Sequence, residues 1–157
     1  MTSLRDRALA ESARRRPLSP YSSFPPRWLL VDVAGQRVVL FHGGEALADY
    51  PVSTSKRGVG GVDGSYCTPP GWHRIHAKIG AAAPRGMTFE GRVATGRVWH
   101  GEVGPGDLIL TRILTLDGME AGVNQGEGCD SLSRYIYFHG TNDEDRIGEP
   151  SSHGCVR

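Results

Sequence analysis

Between Arg27 and Val52 the chain reads RWLLVDVAGQRVVLFHGGEALADYPV. Apolar residues alternate in short runs, and each run stops at a glycine-bearing step, first Ala34-Gly35 and then Gly43-Gly44. A helix repeats its apolar residues every three to four positions over a longer stretch. Brief alternation closed by residues that accept a positive φ is the pattern of strands joined by tight turns. The stretch predicts a three-stranded β-meander, with Leu29, Val31 and Val33 on one face of its first strand. The punctuation persists: 22 glycines and 10 prolines stand in 157 residues, well above the roughly 12% that the pair makes up in ordinary chains. That density disfavours a helical fold.

The same reading places further strands downstream. GWHRIHAKIG predicts one, with Trp72, Arg74 and His76 on one face and His73 and Ile75 on the other. DLILTRILTLDG predicts a long strand ending in a turn at Asp117-Gly118. RYIYFHG predicts a shorter one, with Tyr135, Tyr137 and His139 opposite Ile136 and Phe138. Residues 81–106 read as loops, apart from a short strand at RVATGRVWH. Residues 53–70 read as a mobile polar loop beside a site. Its glycines miss the GxGxxG register at Asp63, and no helix follows, so a phosphate cradle is not expected. About eight short strands imply an all-β sandwich or barrel-like domain, of a size that buries its own core.

Charge divides the chain. Arg5, Arg7, Arg14, Arg15, Arg16 and Arg27 face only Asp6 and Glu11 in the first 27 residues. Residues 1–26 therefore read as a basic N-terminal tail and linker, with a short helix possible over 4–16. Residues 27–157 read as the domain. Net charge is +1, which gives no electrostatic ground to expect nucleic acid. MTSLRDRALAESARRRPLSPYSSFPP has no apolar core of a secretion signal, and no run is long enough to span a membrane. A cytoplasmic location is expected as written, and a periplasmic or wall location if a leader precedes it. Cys67, Cys129 and Cys155 form no CxxC pair, so free thiols are favoured, with a Cys67–Cys129 bridge left open.

Of six histidines, His42, His73, His76 and His100 read as ordinary structural residues. His139 ends an apolar run before Gly140-Thr141-Asn142, and His153 stands two residues before Cys155, on the same face if the segment is a strand. Sixteen residues separate His139 from Cys155, enough for a loop and a return alongside. An imidazole there can take the thiol proton and leave a thiolate–imidazolium pair. Gly154 lets a carbonyl approach, and the nearby N–H groups are placed for an oxyanion. Two plainer readings stay open. Cys155 is a buried thiol, or His139, His153, Cys155 and Cys129 hold zinc, although the knuckle spacing of such sites is missing.

The run HGTNDEDRIGEPSSHGCVR resembles the signature of the YkuD, or L,D-transpeptidase, catalytic domain. The matching elements are His139-Gly140, Ile147-Gly148, Ser152-His153-Gly154-Cys155, Val156 and Arg157. WLLVDVAGQRVVLFHGGEALADYPVST and TPPGWHRIHAKIG are similar to the family's opening strands and its Thr-Pro-x-Gly turn. The resemblance covers residues 27–157. It implies a mostly β sandwich with the site in a cleft between sheets, no metal and no cofactor.

It further implies that Cys155 attacks the third residue of a peptidoglycan tetrapeptide stem and expels D-Ala, with His139 as base. A carbonyl near Gly140 would orient that imidazole, and His153 would support the cysteine or compete for its proton. Ser152, Gly154 and Arg157 would line the site, Arg157 facing a substrate carboxylate. Transfer to an amine gives a 3→3 cross-link. Transfer to water gives the tripeptide, as in an L,D-carboxypeptidase. Carbapenem-type β-lactams are expected to acylate the same thiol. Family members usually run on past this motif with a short helix and a closing strand, so residues 27–157 are expected to lack the usual closing segment. The rival of another class is a non-catalytic β domain that binds zinc or stem peptides.

Overall fold

A computed structural model describes residues 25–104 and 106–157. The short helix expected over 4–16 lies outside the described residues. The meander forms as expected: β1 (Arg27–Asp32), β2 (Arg37–His42) and β3 (Glu45–Pro51) pair antiparallel in that order. Alternation gives this sheet two apolar faces. Trp28, Leu30, Val39 and Phe41 pack on one face, where the Trp28 and Phe41 rings stack with centroids 4.3 Å apart. Leu29, Val31 and Val38 occupy the other face.

The turn after β1 is longer than expected and includes Val33 and Gln36. Gln36 adopts φ +48 and is buried. Its amide donates to Val33 O (2.6 Å) and Thr54 Oγ1 (2.7 Å) and accepts from Thr54 N (2.8 Å), so the hairpin is tied to the segment after β3.

The second sheet is built around the ten-residue β7 (Ile109–Gly118). On one side β7 pairs β4 (His73–Ile79) and β5 (Met87–Glu90), and β5 carries β6 (Val93–Val98) at the edge. On its other side lies β8 (Tyr137–Gly140). Three sequence expectations change here. β5 falls within the 81–106 stretch read as loop, because four residues are too short to show a period. The Asp117-Gly118 turn is absent: both residues continue β7, opposite Arg74 and His73. Gly118 is needed there for close approach, since a Cβ would sit 1.9 Å from Asn124 O. The strand expected from Arg134 begins only at Tyr137, because Tyr135 takes φ +60.

A short C-terminal segment stitches the sheets together. Val156 bridges Phe138 of β8 in parallel. On its other side Ser53 and Arg157 exchange backbone hydrogen bonds of 2.8 and 2.9 Å, and Ser152 N donates to Thr54 O (2.9 Å). Val38, Val52, Val156 and Phe138 fill the space between the sheets. The molecule is an all-β sandwich of two antiparallel sheets, as expected. The 53–70 loop is better anchored than expected, with Ser53, Thr54, Ser55 and Thr68 all buried.

Candidate active site

The parallel bridge fixes the geometry. With Phe138 opposite Val156, alternation turns Tyr137 and His139 of β8 to the same face as Cys155 and Arg157. Packing confirms it. Phe138 and Val156 share the inter-sheet core, while Cys155 packs with Tyr137, Ile113 and Phe89 on the other side. The two candidate reactive residues thus share one face of adjacent segments, β8 and the C-terminal segment that lies between it and residues 53–55.

His139 is oriented by a backbone oxygen. Its Nδ1 lies 2.7 Å from Gly140 O. A carbonyl only accepts, so Nδ1 carries the proton and Nε2 is the basic nitrogen. Gly140 is required locally, because a Cβ there would lie 2.8 Å from Leu110 O on β7.

The turn that presents Cys155 is closed by side chains. Ser152 Oγ donates to Cys155 O (2.6 Å) and accepts from Gly154 N (3.3 Å), and Thr68 Oγ1 donates to Gly154 O (2.9 Å). Gly154 takes φ +127, and a Cβ on it would lie 3.2 Å from Ile136 Cδ1 and 3.4 Å from Cys67 O. The Cys155 thiol donates to Tyr135 O at 3.3 Å. No hydrogen bond within the described residues uses the Cys155 N–H, which leaves that donor for an oxyanion.

Burial dominates both titrations. It pushes the Cys155 thiol up to about 11, against smaller opposing effects of the Tyr137 N–H, Arg157 and Arg134. It also lowers His139, although the Gly140 bond works the other way. Both shifts favour neutral partners, so the resting pair is thiol and imidazole. The thiolate–imidazolium pair expected from sequence is not the favoured resting form.

The other expected site residues divide. Arg157 is buried, and its Nη1 meets Asp107 (3.0 Å) and Asp143 (3.1 Å), while Nη2 reaches Ser53 Oγ (3.1 Å) and Ser151 Oγ. That guanidinium is an internal clamp, and its fork is not free for a substrate carboxylate. His153 is exposed and stands edge-on to Tyr66, centroids 6.4 Å apart. It does not share a face with Cys155, because Gly154 breaks the alternation. His73 is held by Gly71 O (3.0 Å) and Ser131 Oγ (2.8 Å), and His42, His76 and His100 are exposed. The three cysteines are free thiols. Among the described residues no group of three or more His, Cys, Asp or Glu is placed to hold a metal ion, and the donor set considered for zinc is not assembled.

Several neighbours had no signal in the sequence. Tyr66 and Tyr135 adopt φ +58 and +60, conformations that side chains other than glycine's seldom announce. Arg92 lies 4.7 Å over the Tyr135 ring and donates to Tyr137 Oη (3.0 Å) and Leu132 O (2.5 Å). It braces the segment that supplies the thiol's acceptor. A cleft of about 310 Å³ is lined by His139, Gly140, Thr141, Glu144, Ile147 and Arg157.

A family model of the YkuD L,D-transpeptidase catalytic domain matches residues 26–157. The chain belongs to that family. Members of the YkuD family act on peptidoglycan peptides as L,D-transpeptidases. The match spans both sheets and the whole of the His139–Arg157 region, so the YkuD domain and the described fold coincide. A search of curated proteins gives no match. No helix among the described residues is long and apolar enough to cross a membrane.

Proposed function

We propose that this YkuD domain is a cysteine acyltransferase that cuts the bond between the diamino acid and D-Ala of a tetrapeptide stem. The observation that carries the reading is the shared face of His139 and Cys155, with the imidazole pinned through Nδ1 to Gly140 O. Cys155 gives its proton to His139 Nε2 as sulfur adds to the carbonyl of the third residue. The Cys155 N–H faces the developing oxyanion. Collapse breaks the C–N bond, and the imidazolium returns the proton to the leaving amine of D-Ala. A thioester remains on Cys155. An amine from a second stem, deprotonated by His139, attacks that thioester, frees the thiol and forms the 3→3 cross-link.

Mass spectrometry of the chain incubated with disaccharide-tetrapeptide tests the assignment. The expected products are D-Ala and a cross-linked dimer. Tripeptide with D-Ala and no dimer makes the enzyme an L,D-carboxypeptidase that uses the same residues up to the thioester. Cys155→Ala is expected to release no D-Ala, and release from that variant would refute Cys155 as nucleophile. A carbapenem opens its ring on the same thiol without a leaving group, so the intact mass should rise by the whole drug in the wild type and not in Cys155→Ala.

A further inference from the structure

Arg134 stands one residue before Tyr135, whose carbonyl accepts the Cys155 thiol hydrogen. Its half-buried guanidinium reaches four acceptors on one loop: Gly60 O (3.4 Å), Gly61 O (2.9 Å), Ser65 Oγ (3.4 Å) and Cys67 O (2.8 Å). None is a carboxylate, and among the described residues Arg134 forms no ion pair. A positive charge drawn partly out of water without a counter-ion is unfavourable unless a later charge offsets it.

The loop that Arg134 holds is the one that packs on the nucleophile turn. Thr68 hydrogen-bonds to Gly154 O, and a Cβ on Gly154 would lie 3.4 Å from Cys67 O and 3.7 Å from Tyr66 O. Tyr135 reaches the sulfur from another direction. One side chain therefore joins the two backbone segments between which Gly154 and Cys155 sit. We infer that Arg134 is the positioning residue of the nucleophile, clamping residues 60–67 against the Gly154 turn and setting an unpaired positive charge near the sulfur where negative charge develops. This rests on the reading of Cys155 as nucleophile. The other groups that act on the sulfur are Arg157 and Asp107, which pair with each other, and Tyr137 on β8. The effect of Arg134 on the thiol has the sign required, favouring the thiolate.

Iodoacetamide labelling of the whole chain, followed against pH by peptide-resolved mass spectrometry, reads Cys155 apart from Cys67 and Cys129. Arg134→Met is expected to raise the midpoint of Cys155 labelling, with about a twofold loss of thiolate near neutrality, because Arg134 is the smallest of the charges that favour the thiolate. Arg134→Lys keeps the charge but loses the planar fork. It should label with the wild-type midpoint while amide exchange over residues 60–67 quickens. An unchanged midpoint in an Arg134→Met chain that still melts cooperatively overturns the inference. Wild-type amide exchange in Arg134→Lys also overturns it, and that arm decides if Arg134→Met does not fold. No stem peptide enters the measurement. Failure here leaves the acyltransferase reading standing, since that reading is judged by D-Ala release.

Discussion

His139 and Cys155 are pushed in opposite directions by the same burial, and both end neutral. In the proposed reaction the thiolate then forms during attack instead of standing ready, with His139 as the base of the chemical step. His139→Ala should lower kcat by at least ~10²-fold. His139 accepts a proton only while neutral, and burial lowers it from 6.5. The acid limb of kcat/KM should therefore lie below that value, and a pH–rate profile with its limb above it would contradict the assignment. Gly154 is a different kind of site residue, since it contributes a backbone shape. Gly154→Ala meets both the positive φ and the Ile136 contact. It should cost on the order of 1–3 kcal/mol in urea unfolding and cut turnover together with stability.

At the scale of elements, β8 and the C-terminal segment carry the site, and Arg157 ties them to the 53, 107 and 143 segments. The Arg157 side chain is 1% exposed, whereas those of Asp107 and Asp143 are 24% and 42% exposed. Arg157→Met would leave two carboxylates partly able to rehydrate. The expected loss is about 3 kcal/mol, the lower end for breaking a buried pair, read as a drop in urea midpoint. The exposed Arg37–Asp49 pair, although shorter at 2.6 Å, should contribute little, because both side chains stay hydrated.

β8 also shows how far alternation carries. Within the strand Tyr137 and His139 follow the sequence pattern, while Tyr135 lies outside it and meets the Tyr137 ring edge-on at 6.2 Å. The start of the strand does not follow it, because Tyr135 takes φ +60.

For the molecule as a whole, the buried titrating groups set a window of stability. His73 and His139 are both lowered by burial. The unfolded chain takes up protons near 6.5 while the folded chain resists, so stability falls as pH drops through that value and levels off below the folded pKa values. On the alkaline side the unfolded Cys155 thiol ionises from 9.0, but the folded one holds its proton to about 11. Stability therefore falls again between those values, and the raised Tyr137 adds in the same direction at higher pH. Urea midpoints across the range should show a plateau between two declines. An alkaline decline that persists unchanged in Cys155→Ala would deny the thiol its part.

The sequence by itself determined the meander, the all-β class, the long β7 and the pairing of a histidine before a glycine with a cysteine after one. Each of these rests on local chemistry: alternation of side chains along a strand, glycine at tight turns, and nucleophile and base in one short region. The tertiary structure alone decided that His153 stands outside while His139 faces in. It also decided that Arg157 is spent on two aspartates, that burial favours a neutral thiol and imidazole, and that Arg134 bonds the 60–67 loop while Arg92 packs on Tyr135 and Tyr137. Those outcomes depend on what surrounds each group. Desolvation, ion pairing and positive-φ strain are set by residues far apart in sequence, and no spacing along the chain encodes them.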